Sequence, residues 1–230
     1  MKKKVFILSV IFASLLFNSV YAQQSYAVIK GGLNVANVSV SDDGNVDDAK
    51  ALSSFQVGLM GDLNLTPCFA IQPGLIFTGK GTKTQSGNEG DLNWYRATSN
   101  PYYLEVPVNF VFKTPGRYKF FAGAGPYLGI GISGKNKVEG AILGTSFSSE
   151  ENIEFSNDDP GTLNEEEGAG FGIMKRFDYG LNGLIGLEAG SMVVSVNYGL
   201  GLAKLQSGSN SGNDNNNKHR VLSFTIGLKL

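Results

Sequence analysis

The sequence predicts an all-β protein: a closed, eight-stranded antiparallel up-and-down transmembrane β-barrel with short periplasmic turns and long extracellular loops. Three observations lead there. Long runs alternate apolar and polar residues with a period of two, the mark of a strand with two unlike faces. Charges within those runs fall almost entirely on the polar face, the inverse of a water-soluble barrel, so the apolar faces point to a lipid solvent. The connections also alternate between tight turns and long polar stretches, as in a barrel whose turns lie at one membrane surface and whose loops lie at the other.

The N-terminus stands apart from this pattern. Lys2, Lys3 and Lys4 precede an apolar run from Val5 to Phe17, and Val20-Tyr21-Ala22 supplies a small-residue cleavage site, so residues 1–22 read as an export signal and 23–230 as the barrel. Removing the signal lowers the formal net charge from −1 to −4, because it carries three lysines and no acids. No basic footprint for nucleic acid remains. Cys68 is the only cysteine, which excludes an internal disulfide. Glycine, at 31 of 230 residues, is nearly twice its usual share of about 7%, and that density weakens helices.

In chain order, the alternating segments are 25–37, 52–65, 69–80, 102–113, 118–132, 176–188, 191–204 and 220–230. The hairpin 177–202 shows the pattern most fully. Met192, Val194, Val196, Tyr198, Leu200 and Leu202 share one face, and Ser195, Asn197, Gly199 and Gly201 the other. Phe55, Val57, Leu59, Leu63 and Leu65 oppose Gln56, Gly58 and Asp62 in the same way, and Leu104, Val106, Phe110 and Phe112 oppose Tyr103, Glu105, Asn109 and Lys113. Thr66-Pro67-Cys68, Thr114 to Arg117 and Ala189-Gly190-Ser191 form the tight turns; 38–51, 81–101, 133–175 and 205–219 form the loops. Pro73, Pro107 and Pro126 fall inside strands, where each removes a ladder hydrogen bond, so bulges and a slip of the faces are expected there.

Lys30-Gly31-Gly32-Leu33-Asn34 resembles the first strand of a porin-like outer-membrane β-barrel family of Gram-negative bacteria. Ile71-Gln72-Pro73-Gly74-Leu75, Tyr103-Leu104-Glu105-Val106-Pro107 and Gly123 to Gly129 resemble its third, fourth and fifth strands, and Tyr198-Gly199-Leu200 the end of its seventh. The resemblance implies a small eight-stranded barrel resident in the outer membrane and little about function. The long third loop and the final Leu230, where an aromatic is usual, depart from the family pattern.

An eight-stranded barrel is only wide enough for side chains to fill. The inward charges Lys30, Asp62, Glu105, Lys119, Asp178, Glu188 and Lys229 are therefore expected to form a polar network that plugs the interior, with Lys30 level with Asp62, and Glu188, Lys229 and Lys119 near the periplasmic end. A narrow channel for ions or small solutes is the alternative, and a lipid-modifying enzyme the third reading. His219, the only histidine, has no acid beside it in sequence and reads as a loop-end residue, so no catalytic site is expected. Asp43-Gly44-Asn45-Val46-Asp47 starts like a calcium loop, but Asp48 and Ser54 stand where Gly and Glu are needed, so neither metal nor cofactor is expected. The loops hold 16 of the 20 acidic residues, a solvated surface. Tyr102, Phe112, Tyr118, Phe120, Phe177 and Tyr179 read as interfacial girdles. Expected partners are outer-membrane lipids, lipopolysaccharide and the outer-membrane assembly machinery; no surface partner can be named. The chain stops on its last strand, and Phe224, Ile226, Leu228 and Leu230 on its lipid face read as the assembly signal.

Overall fold

A computed structural model describes residues 25–39, 49–156, 173–203, 205 and 218–230. The expected export signal lies outside the described residues, as does the acidic stretch 42–48. Among the described residues there is no helix. The strands are β1 (Tyr26–Ser39), β2 (Ala49–Thr66), β3 (Phe69–Gly79), β4 (Thr82–Ser86), β5 (Trp94–Lys113), β6 (Tyr118–Ile142), β7 (Thr145–Asn152), β8 (Glu154–Phe155), β9 (Ile173–Met174), β10 (Phe177–Ala189), β11 (Met192–Gly201) and β12 (Lys218–Lys229).

Eight of them close a ring, in the order β1, β2, β3, β5, β6, β10, β11, β12, with β12 pairing back onto β1. Closure matters because an open edge in lipid leaves backbone donors and acceptors unsatisfied. The closing ladder runs from Val28↔Lys229 to Ser39↔Lys218, and Leu230 N donates to Ala27 O at 2.8 Å at its periplasmic end. Gly32 lies within this ladder opposite Thr225. A Cβ there would overlap the Phe224 carbonyl and come within 2.8 Å of Thr225 Cα, so only glycine lets the last strand dock.

The outer surface is apolar. Ile29, Leu33, Leu59, Leu104, Val106, Leu181, Ile185, Val194 and Leu228 are among the large hydrophobic side chains it exposes. That pattern would be a liability in water, and it is the wall a bilayer requires. Phe112, Tyr118 and Phe120 are exposed at the periplasmic end, beside the turn between β5 and β6. Near the opposite end, Phe77 stacks on Tyr102 at 5.3 Å, with Phe55 against both.

Two expectations are corrected. Register is kept across Pro73, Pro107 and Pro126, and the faces do not slip there. Around the first two, the ladder skips a couple of residues and resumes at the same offset. The irregularities fall instead at Asn64/Thr66, beside a turn, and at Tyr102/Tyr103, where the sheet leaves the barrel. The stretches 81–101 and 133–175 are also not simple loops. The third barrel strand breaks at Lys80-Gly81 and resumes as β4. β5 and β6, at 20 and 25 residues, outrun the roughly 9–11 residues of a tilted crossing and carry the sheet beyond the membrane. There β7 pairs with the end of β6 through a turn at Leu143-Gly144.

The closing ladder generates the first prediction. Gly32→Val should abolish the folded species that migrates differently before and after boiling in SDS, and so should deletion of Leu228–Leu230 if that segment is the assembly signal. Gly183→Val, on a lipid-facing position with open space, should leave it intact.

Candidate functional site in the barrel lumen

Side chains of the inward faces fill the lumen in layers. The layer nearest the periplasmic turns is an ion-pair cluster. Lys113 Nζ donates to Asp62 Oδ2 at 2.6 Å, to Glu188 Oε1 at 2.6 Å and to Tyr26 Oη at 3.0 Å, which uses all three of its protons. Lys229 Nζ and Tyr26 Oη both donate to Glu188 Oε2, at 2.7 and 2.8 Å, and Gln72 Nε2 donates to Asp62 Oδ2 at 2.7 Å. Two cations face two anions, and the six residues come from β1, β2, β3, β5, β10 and β12. Such a pairing offsets the cost of burying each charge only because nearly every polar atom finds a partner.

Above this cluster lies an apolar plate. Val28, Met60 and Ile76 pack together on one side, and Val111, Phe121 and Leu184 on the other, with Val193 touching both groups. The third layer is a polar chamber of about 40 Å³, lined by Lys30, Gln56, Asn109, Asn182, Asn197 and Ser223 among others. In the fourth layer Lys80 Nζ pairs with Glu105 and, at 2.7 Å, with Asp178 Oδ2. The Tyr127 ring lies 4.1 Å from the same ammonium, and Tyr127 Oη donates to Asp178 Oδ2 at 3.2 Å. His219 and Tyr103 sit beside this group, His219 Nε2 lying 3.4 Å from Tyr103 Oη.

Over the top, Ile153, Phe155, Met174 and Leu205 pack on Tyr103 as a lid. Gly131 N to Arg176 O at 2.7 Å, Lys175 N to Leu205 O at 2.8 Å and Ile153 N to Gly134 O at 3.0 Å hold its backbone. Two β6 glycines form its sockets: a Cβ on Gly131 would enter the Phe155 ring, and one on Gly134 would lie 2.7 Å from Ile153 Cδ1.

The structure brings Asp62, Glu188 and Lys229 together in the lower cluster and Glu105 and Asp178 in the upper one. Lys30 is not level with Asp62. Tyr26 is Asp62's strand partner, Lys30 faces Gly58, and Glu105 is the acid acting on Lys30. Lys119, although opposite Glu188 in register, is half-buried and forms no ion pair among the described residues. Nor is His219 a loop-end residue: it lies in β12, is 1% exposed, and among the described residues has only Tyr103 as a side-chain hydrogen-bond partner. The two hubs of the network, Lys80 and Lys113, are not among the seven charges expected to form it. Lys113 stands on the polar face of its strand, and Lys80, the last residue of the 69–80 segment, continues the inward face of Gln72 and Thr78. Phe224, Ile226, Leu228 and Leu230 lie on the lipid-facing surface.

A closed ring of strands with an apolar exterior and a charge-paired interior defines an integral membrane β-barrel. The chain belongs to the outer membrane protein beta-barrel domain family, whose model matches residues 21–207, and it is a protein of the Gram-negative outer membrane. Among solved structures, it is similar to the attachment invasion locus protein Ail of Yersinia pestis (14% identity over 90% of this chain and 100% of that one, TM-score 0.41). It is also similar to OprG of Pseudomonas aeruginosa (14%, 90% and 95%, 0.41) and to neisserial surface protein A (13%, 90% and 100%, 0.38). These likenesses are too loose to transfer residue roles. No curated protein sequence matches the chain.

Removing the lower hub leaves two buried carboxylates without their main partner. Lys113→Met should cost about 3–5 kcal/mol in urea unfolding of the refolded barrel. Adding Asp62→Asn and Glu188→Gln should recover much of that loss, and Lys119→Ala should stay within about 0.5 kcal/mol of wild type.

Proposed function

We propose that the protein is a sealed barrel that anchors an extracellular sheet, with a structural or surface-interaction role and no solute transport or catalysis. The observation that carries this reading is the stacking in the lumen. A conducting path needs continuous water, and here an apolar plate separates two directly bonded ion-pair layers while a lid covers the upper one. Opening it would mean separating buried ion pairs.

The extracellular sheet supports the other half of the reading. Lys135 pairs with Glu150 across β6 and β7, holding that carboxyl below its usual range, and Glu139 holds the Lys137 ammonium above its own. At the far tip Leu92, Ile142 and Leu143 are exposed, Leu143 at 81% and with φ of 51°, a conformation a leucine rarely adopts. Leu143 N donates to Asn93 Oδ1, and Gly144 N to Leu92 O, both at 2.9 Å, so the tip is held in shape. An apolar tip fixed on a sheet above the membrane suits contact with another surface better than solvation.

Two measurements test the proposal. Purified protein in planar bilayers should give no stable conductance steps; steady, size-dependent solute flux would make it a channel. Cells carrying Leu92→Ser, Ile142→Ser and Leu143→Asn together should assemble the barrel normally and adhere less to a hydrocarbon phase. Unchanged adhesion would remove the tip from the account.

A further inference from the structure

The chamber between the apolar plate and the Lys80 layer carries an inference independent of what the extracellular sheet does. Five side chains that line it, Lys30, Gln56, Asn109, Asn182 and Ser223, form no side-chain hydrogen bond to protein among the described residues. Three of them are nine-tenths buried or more: Gln56 at 8% exposed, Ser223 at 6% and Asn109 at 3%. Asn109 Oδ1 is fully enclosed and has no acceptor bond. Buried polar groups are bonded to something in nearly every folded protein, and a lysine has three protons to place.

We propose that the chamber is a built hydration site holding about three ordered waters, which link the Lys30 ammonium to Glu105 and Asn109. Size fits, since a water needs about 10–15 Å³ of such space and the chamber has about 40 Å³. The number of bonds fits too, because about three waters offer up to about twelve hydrogen bonds, enough for an ammonium, three carboxamides and a hydroxyl.

Charge selects water over an anion. Lys80 takes both carboxylates of its layer directly, and Lys30 is the cation that brings Lys80, Glu105 and Asp178 to zero net charge. An anion beside Lys30 would face Glu105 across the same chamber and leave one uncompensated negative charge in the lumen. A dry cavity is equally unfavourable, because unpaired polar atoms do not line one. Water therefore joins Lys30 to Glu105 where the protein does not.

Crystals of the wild-type barrel test this directly, by a native data set at a resolution that shows ordered water, a bromide soak and a xenon-pressurised set. The expected result is about three waters bonded to Lys30 Nζ and Asn109 Oδ1, with no bromide and no xenon in the chamber. A bromide peak beside Lys30 would make it an anion site. Xenon in the chamber, or Lys30 Nζ bonded directly to Glu105 in a collapsed cavity, would also overturn the proposal. Because only wild-type protein is used, no outcome depends on whether a variant folds.

Discussion

Everything in this barrel depends on one constraint: a charge on a membrane-crossing strand has nowhere to go except inward. The outer face is committed to lipid, where an unpaired charge or an open backbone edge costs several kcal/mol. The inward faces must then place lysines and carboxylates so that they meet. Lys113 does so near the periplasmic end and Lys80 near the outer end, each gripping two carboxylates from other strands. With too little room in the lumen to hydrate them fully, direct pairing offsets the cost of burying Lys80, Lys113 and their carboxylates.

The same constraint accounts for the layering. Charged pairs are concentrated at two heights, and the space between is divided into an apolar plate and a polar chamber. Met60 and Leu184 face inward in that plate, against the polar rule for inward positions, and seal one side of the chamber. Register is fixed as a consequence. A slip of one residue between neighbouring strands would turn Asp62 or Asp178 toward lipid. Asn34 reinforces this by donating to Thr78 Oγ1 at 2.8 Å and to Gly79 O at 3.0 Å, reaching from the first strand across the second to the third.

What could be read from the sequence follows the same logic. Faces, tight turns and the closing strand were legible because bulky apolar residues recur every second position wherever one side meets lipid, as from Met192 to Leu202. The heights of the inward charges were not, since the stagger of adjacent strands sets them; Lys30 and Asp62 are four residues apart along the barrel wall for this reason. Lys80 is in phase with Gln72 and Thr78, but it ends its segment beside the strand break at Lys80-Gly81, where alternation does not tell a barrel residue from a loop residue. Leu184 points inward with Val111 and Phe121, a placement that alternation alone cannot distinguish from a gap in the polar face. Beyond the membrane β7 is exposed on both faces and β4 has no apolar residue, so nothing in Thr82–Ser86 or Thr145–Asn152 alternates, and these strands read as loop.

The central claim is that the lumen is closed to solvent from both ends, and thiol labelling measures that most directly. Cys68, exposed in a periplasmic turn, is a built-in reference. A second thiol introduced by Ser223→Cys would line the chamber. In the folded barrel, a small charged thiol reagent should modify Cys68 rapidly and leave the thiol at position 223 unmodified until the protein is unfolded. Labelling of both at similar rates in the folded state would show an open lumen and contradict the account.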